Sequence, residues 1–226
     1  EESLQRMEEK PVDLLGYARD LVNDLLTHQQ QDRCGVEMMV EYEHLVSKNK
    51  KKVVSHQLLN LYLKYEQEKE QRTIVTGITA PFMNACPCAQ RWAMQEFNQQ
   101  VQGEKEIIAF APLQSHTNGG KATLNVYEAI DFCILYQILD SSFPLRRELL
   151  SGYDEHLFVK KTHQQAMFCE DNIRSLLYNV VKELQSKVQD TTLIEINVEV
   201  NESVHVHNLY GYLKESLGSM EKIITI

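Results

Sequence analysis

Residues 169–200 read CEDNIRSLLYNVVKELQSKVQDTTLIEINVEV, and this stretch decides the fold class. In its first part Ile173, Leu176, Leu177, Val180, Val181 and Leu184 recur at helical spacing and form one apolar stripe, which predicts a helix over 169–187. The period then drops to two. Ile194, Ile196, Val198 and Val200 share one face of a strand predicted over 192–200.

The same change of period recurs upstream. Leu14, Leu15, Ala18, Leu21, Val22, Leu25 and Leu26 follow Pro11 at helical spacing, and proline suits a first helical turn. Cys34, Val36, Met38, Val40 and Tyr42 alternate as in a half-buried strand, and Leu59, Leu61, Leu63 and Tyr65 do so again. Lys48 to Lys52 reads as a solvated hairpin loop between them. Thr73 to Thr79 continues or follows the second strand. Beyond Cys88 a helix is expected, with Trp92, Ala93 and Phe97 on one face. Strands at 107–111 and 122–128 are expected to bracket a Ser-His turn, with Gly119 and Gly120 as its flexible backbone. Phe132 to Leu139 reads as a short apolar helix. The order is one of helices and alternating strands in blocks, with no Gly-rich βαβ fingerprint. This is an α+β protein with antiparallel sheets rather than a doubly wound parallel one. No linker divides the chain, so residues 1–226 are read as one domain.

Composition narrows the function. Apolar residues make up 43% of the 226, enough for a core. The net charge of −9 argues against a general nucleic-acid or lipid-headgroup binder. Five cysteines, an odd number spread through a long chain, fit a cytoplasmic protein better than a disulfide framework. No apolar run approaches a membrane span, and no signal peptide is visible. The chain opens on Glu1, so a natural N-terminal segment is expected to precede it.

Cys86-Pro87-Cys88 concentrates the chemistry. Two thiols one residue apart are badly spaced for a disulfide and well placed for a metal or a nucleophile. Cys88 opens the predicted helix, where the dipole favours a thiolate. Two small buried apolar residues are the competing account. His116 sits in Gln114-Ser-His-Thr-Asn-Gly-Gly-Lys121, where a plain surface turn competes with ligation. Asp154-Glu155 is expected in a loop. Glu170-Asp171 falls in a first helical turn, where acids belong for dipole reasons alone. In Glu202-Ser-Val-His-Val-His207, strand geometry puts His205 and His207 on one face, and a turn brings Glu202 beside His205. That group suits proton transfer or ligation, with simple surface exposure as the alternative.

Taken together, Thr76-Gly-Ile-Thr-Ala80, Ala85-Cys-Pro-Cys-Ala-Gln90, Ser115-His116, Asp154-Glu155, Phe168-Cys-Glu-Asp171 with Arg174, and Glu202 to His207 resemble the type IB GTP cyclohydrolases. This is a metal-dependent family of the tunnelling fold. The match is closer to its archaeal Fe(II)-dependent branch than to its bacterial folate branch. The chain departs from the pattern in three places. Thr117-Asn-Gly-Gly-Lys121 stands where the bacterial branch has Asn-Gln-Arg. Gln164-Gln-Ala166 stands where the family has Asn-Pro. Pro81-Phe-Met-Asn84 reads as an insertion.

The resemblance implies two tunnelling-fold halves within the domain, antiparallel sheets with helices on one face, and an oligomeric barrel. The partner chains would form a homodimer or homotetramer with active sites at the interfaces. It implies that Cys86, His116 and Glu155 hold one divalent metal, Fe(II) first, with Zn(II) or Mn(II) as alternatives. Cys88 becomes a second catalytic thiol. Glu202 and His205 become the proton-transfer pair, with His207 in support. Glu170 would grip the guanine edge, and Lys121 is a candidate for the triphosphate. The implied reaction opens GTP at C8, releases formate and yields 7,8-dihydroneopterin 2′,3′-cyclic phosphate for methanopterin-type cofactors. The folate-branch product, dihydroneopterin triphosphate, is the first alternative. A nitrile reductase of the same fold and a non-catalytic metal-stabilised binding protein are the others.

Overall fold

A computed structural model describes residues 14–29, 33–48, 51–100, 115–148, 152–204 and 206–224. Helix α1 (Leu14–Gln29) precedes three long strands, β1 (Arg33–Lys48), β2 (Lys51–Glu68) and β3 (Gln71–Ala85). Helix α2 (Pro87–Gln100) follows, then β4 (Thr117–Val126), α3 (Phe132–Ser142), α4 (Gly152–Gln164) and α5 (Cys169–Leu184). Strands β5 (Leu193–Asn201) and β6 (Asn208–Ser216) and helix α6 (Leu217–Ile224) complete the described chain. The six strands form one antiparallel sheet in chain order. The α+β reading therefore holds, and the helices cover one face of the sheet.

Alternation explains which face. Leu59, Leu61, Leu63 and Tyr65 of β2, Ile78, Ala80 and Phe82 of β3, and Ala122, Leu124 and Val126 of β4 are buried under the helices. Ile194, Ile196, Val198 and Val200 of β5 meet Leu176, Leu177, Val180, Val181 and Leu184, the apolar stripe of α5. The intervening residues point to the uncovered face. There Lys214 lies over the Tyr127 ring and pairs with Glu195 at 3.3 Å. Among the described residues no helix is long and apolar enough to cross a membrane, and all five cysteines are free.

Pro81 lies inside a continuous strand. The β2–β3 ladder stops at Asn60 with Thr79, because proline offers no N–H to continue it. Residues 144–146 take over as the neighbour of β3. Arg146 N donates to Pro81 O at 2.8 Å and Met83 N donates to Pro144 O at 3.0 Å. On its other edge, Pro81 to Asn84 stays in register with β4. The segment read as an insertion is thus the place where β3 exchanges one partner for another.

Two local expectations are corrected. Gly119 and Gly120 are paired residues of β4, not a flexible turn. A Cβ on Gly120 would stand 2.5 Å from the Phe82 ring and 2.7 Å from Glu199 O, so glycine is there for close approach. Asp154 and Glu155 occupy the first turn of α4 rather than a loop. Gly152 starts that helix at φ 58°, a backbone that glycine adopts freely, and the acids suit the positive end of the helix. On α2 the Trp92 ring is 71% exposed. The expected strand at 107–111 lies outside the described residues.

Under α3, the Tyr136 hydroxyl donates to Oε1 of the buried Gln57 at 2.8 Å. Burial, followed by the nearby Asp140 carboxylate, pushes the Tyr136 hydroxyl up to about 12. A raised acid favours the folded state below the ordinary tyrosine value of about 10, and that contribution disappears as pH climbs through about 12. Tyr136→Phe should therefore fall less steeply in stability across this alkaline window, read from urea midpoints at stepped pH. An unchanged alkaline slope would refute the assignment.

Candidate active site

The end of the sheet formed by β3, β4 and β5 gathers the chemistry. Cys86 follows the last β3–β4 pair, Ala85 with Thr117. Its N–H donates to His116 O at 3.2 Å, so the pairing runs on by one residue. Cys86 and His116 are thus opposite each other in the backbone, one step past the end of the ladder. Both side chains are half-buried. Cys86 also accepts Gln90 N at 3.2 Å through its carbonyl, the first helical bond of α2. Pro87 then fills the first helical position, where its missing N–H costs nothing. This turn leaves Cys88 exposed, one residue into the helix.

The Ser115-His116 segment is clamped from three sides. Ser115 Oγ donates to Cys86 O at 2.7 Å. The buried His163 of α4 brings Nε2 to 3.2 Å from Ser115 O, and Gln90 Nε2 donates to His163 O at 2.8 Å. On the β5 side, Gly119 pairs with Asn201, so Asn118 and Glu202 are opposed one step further. Asn118 Nδ2 donates to Glu202 Oε2 at 3.0 Å. Asn118 Oδ1 lies 3.0 Å from His116 Nδ1 and accepts Ser203 N at 3.1 Å.

Helix α5 brings in the next carboxylate. Asn84, the β3 partner of Asn118, holds both backbone groups of Met167: Nδ2 donates to Met167 O at 2.8 Å and Oδ1 accepts Met167 N at 3.4 Å. The strand end thereby pins the residues leading into α5, whose first turn carries the exposed Glu170. Gly211 on β6 leaves room for Ile173 and the thiol of Cys169, which seats the helix closely. The Cys169 thiol is pushed up, first by burial and then by the Glu170 and Glu202 carboxylates.

Other expected site residues are placed differently. Glu155 is exposed in the first turn of α4. It stands about 12 Å along the helix axis from His163, the residue of α4 that touches Ser115. Among the described residues no group of three or more His, Cys, Asp or Glu is arranged to hold a metal. Lys121 is exposed on the uncovered face, opposite Glu199, while Asn118 and Gly120 point to the covered one. His207 is exposed just before β6. His205 lies outside the described residues. Asn118, His163 and Ser203 were not legible as site residues. Asn, Ser and a helical His carry no spacing signal, and only strand register places them beside Cys86 and His116.

Cys86 and His116 are joined by a backbone hydrogen bond beside the hydrogen-bonded Glu202 carboxylate, at the end of a sheet covered on one side. The chain belongs to the type I GTP cyclohydrolase folE2 family, whose model matches residues 1–211, and is an enzyme of that kind. Similar proteins agree. The GTP cyclohydrolase MptA of Methanosarcina barkeri is 25% identical over 245 residues, covering 99% of this chain and 76% of the relative. The GTP cyclohydrolase MptA 2 of Methanocella arvoryzae is 28% identical over 248 residues, covering 97% and 76%. The GTP cyclohydrolase MptA of Methanosarcina mazei is 31% identical over 156 residues, covering 63% and 48%.

Proposed function

We propose that this chain opens the imidazole ring of GTP at C8, releases formate and forms 7,8-dihydroneopterin 2′,3′-cyclic phosphate for methanopterin-type pterin synthesis. The observation that carries the reading is the meeting of Cys86, His116 and Glu202 at one sheet end. Membership of the GTP cyclohydrolase family and the MptA names of its relatives support it.

Cys86 and His116 fit a divalent metal as a pair. A thiolate and an imidazole suit Fe(II) or Zn(II), and the His116 ring uses Nδ1 within the protein, which leaves Nε2 as the donor. Fe(II) is proposed ahead of Zn(II) and Mn(II), one ion per site, with Glu155 as the third ligand. A divalent ion held there supplies Lewis acidity and a hydrolytic nucleophile at neutral pH. Glu155 forms no three-residue ligand group with Cys86 and His116 among the described residues, so completing the set requires a rearrangement or a second copy. Assembly as a homodimer or homotetramer with interfacial sites, in the cytoplasm, belongs to the same reading.

The remaining roles follow from the donors of guanine. Its N1–H and 2-amino group lie side by side, and the Glu170 carboxylate can accept from both in a bidentate, charge-assisted contact. Glu202 and His205 are the pair that moves the proton at N7 or N9 as the ring opens, with His207 in support. Cys88, exposed at the helix start, is the second thiol. Lys121 stays a candidate for the triphosphate only through the uncovered sheet face.

An anaerobic assay of GTP-dependent formate release, with Fe(II), Mn(II) or Zn(II) added to metal-free protein, tests this. Formate is expected, highest with Fe(II). No formate with any metal rejects the proposal. Chromatography of the product decides the branch: a product with all three phosphates moves the chain to the folate type.

A further inference from the structure

We infer that Asn118 is a positioning residue that sets the ring orientation and tautomer of His116 and joins it to Glu202. The inference rests on the reading of His116 as a ligand, because only then does the identity of its lone-pair nitrogen matter.

Asn118 is 2% exposed, and its carboxamide is engaged at both ends. Nδ2 donates to Glu202 Oε2 at 3.0 Å. Oδ1 meets three groups: Ser203 N at 3.1 Å, Ser203 Oγ at 3.0 Å and His116 Nδ1 at 3.0 Å. The orientation of the amide is decided by its neighbours. An ionised carboxylate only accepts, so the group facing Glu202 must be the NH2. The Ser203 backbone N–H only donates, so the group facing it must be the oxygen. That same oxygen faces His116 Nδ1. A carbonyl oxygen cannot donate, so Nδ1 carries the proton and the lone pair of the neutral ring sits on Nε2.

Ser203 Oγ also lies 3.0 Å from His116 Nδ1, but a hydroxyl can donate or accept and so selects neither tautomer. The choice belongs to Asn118. Strand register explains why it can be enforced. Asn118 is opposed by Asn84 on β3, which holds its backbone, and comes one step beyond the last β4–β5 pair, where its side chain takes up Glu202 and Ser203. Glu202 therefore reaches His116 through one amide, and a change at Asn118 acts on both residues at once.

The test starts from metal-free protein labelled with 15N-histidine, observed by long-range 1H–15N NMR well above the ordinary histidine pKa. The His116 signal is assigned by its loss in His116→Gln. The expected spectrum shows His116 as the Nδ1–H tautomer in the wild type and as a mixture in Asn118→Ala, while Ser203→Ala keeps the wild-type form. Titration of metal-free protein with Co(II), followed by the thiolate-to-cobalt absorption, should show about 10–100-fold weaker binding for Asn118→Ala. A wild-type His116 in the Nε2–H form overturns the inference without any variant. So does an Asn118→Ala protein with unchanged tautomer and cobalt affinity. Formate release is measured separately. Its absence beside an Nδ1–H His116 sinks the enzymatic reading and leaves the role of Asn118 standing.

Discussion

Cys86→Ala loses GTP-dependent formate release by more than about 100-fold, since altering even the partners that orient a metal ligand typically costs 10–100-fold. The fold should survive the change. The contribution of Cys86 to the architecture is made by its backbone, through the N–H to His116 O and the carbonyl that accepts Gln90 N and Ser115 Oγ. Alanine keeps all three, and a half-buried thiol leaves only a small gap. Circular dichroism and the melting midpoint should therefore stay close to those of the wild type while bound metal per chain falls. Cys88→Ser separates the two thiols. It lies outside the β3–β4 pairing and is exposed, so metal content should hold while kcat drops. If Cys88→Ser loses the metal and Cys86→Ala keeps it, the assignment of the thiols is reversed.

Gly120→Val should be the most destabilising single change in the sheet, by about 3 kcal/mol or more. The first added carbon already meets the Phe82 ring at 2.5 Å and Glu199 O at 2.7 Å. Neither can yield cheaply. Phe82 is 1% exposed and stacks on Phe143 with ring centroids 4.5 Å apart, and Glu199 O belongs to the neighbouring strand. Strand β4 is paired on both edges, so a local shift breaks ladders with β3 and β5 together. Urea unfolding should show the loss, and Phe82→Leu in the same chain should recover part of it. A wild-type midpoint for Gly120→Val would mean that Gly120 is not held by close approach.

Most of the helices and strands could be read directly because their period is local. The stripe from Ile173 to Leu184 and the alternation from Ile194 to Val200 each follow from which side chains avoid water. The Cys-Pro-Cys helix start was equally legible, since proline at a first helical position and a thiol beside the positive helix end are short-range effects. Reading failed where a residue serves a neighbour distant in the chain. Gly119-Gly120 looks like a turn until Phe82 is laid across it. Asp154-Glu155 looks like a loop until Gly152 turns the backbone into α4.

The candidate site divides along the same line. The residue types and their order, Cys86, Ser115-His116, Glu170 and Glu202, stood in the sequence, and with them the family resemblance. Their meeting did not. It depends on the β3–β4 and β4–β5 registers, which oppose Cys86 to His116 and Asn118 to Glu202 over separations of 30 and 84 residues. Those registers are set by which volumes fit under the helices and by where Pro81 ends the ladder with β2. The sequence by itself determined the elements, their buried faces and the chemical groups available, because these depend on near neighbours and on water. Only the tertiary structure decided which groups share a hydrogen bond, because strand pairing is a choice among distant partners made by the packing of the whole sheet.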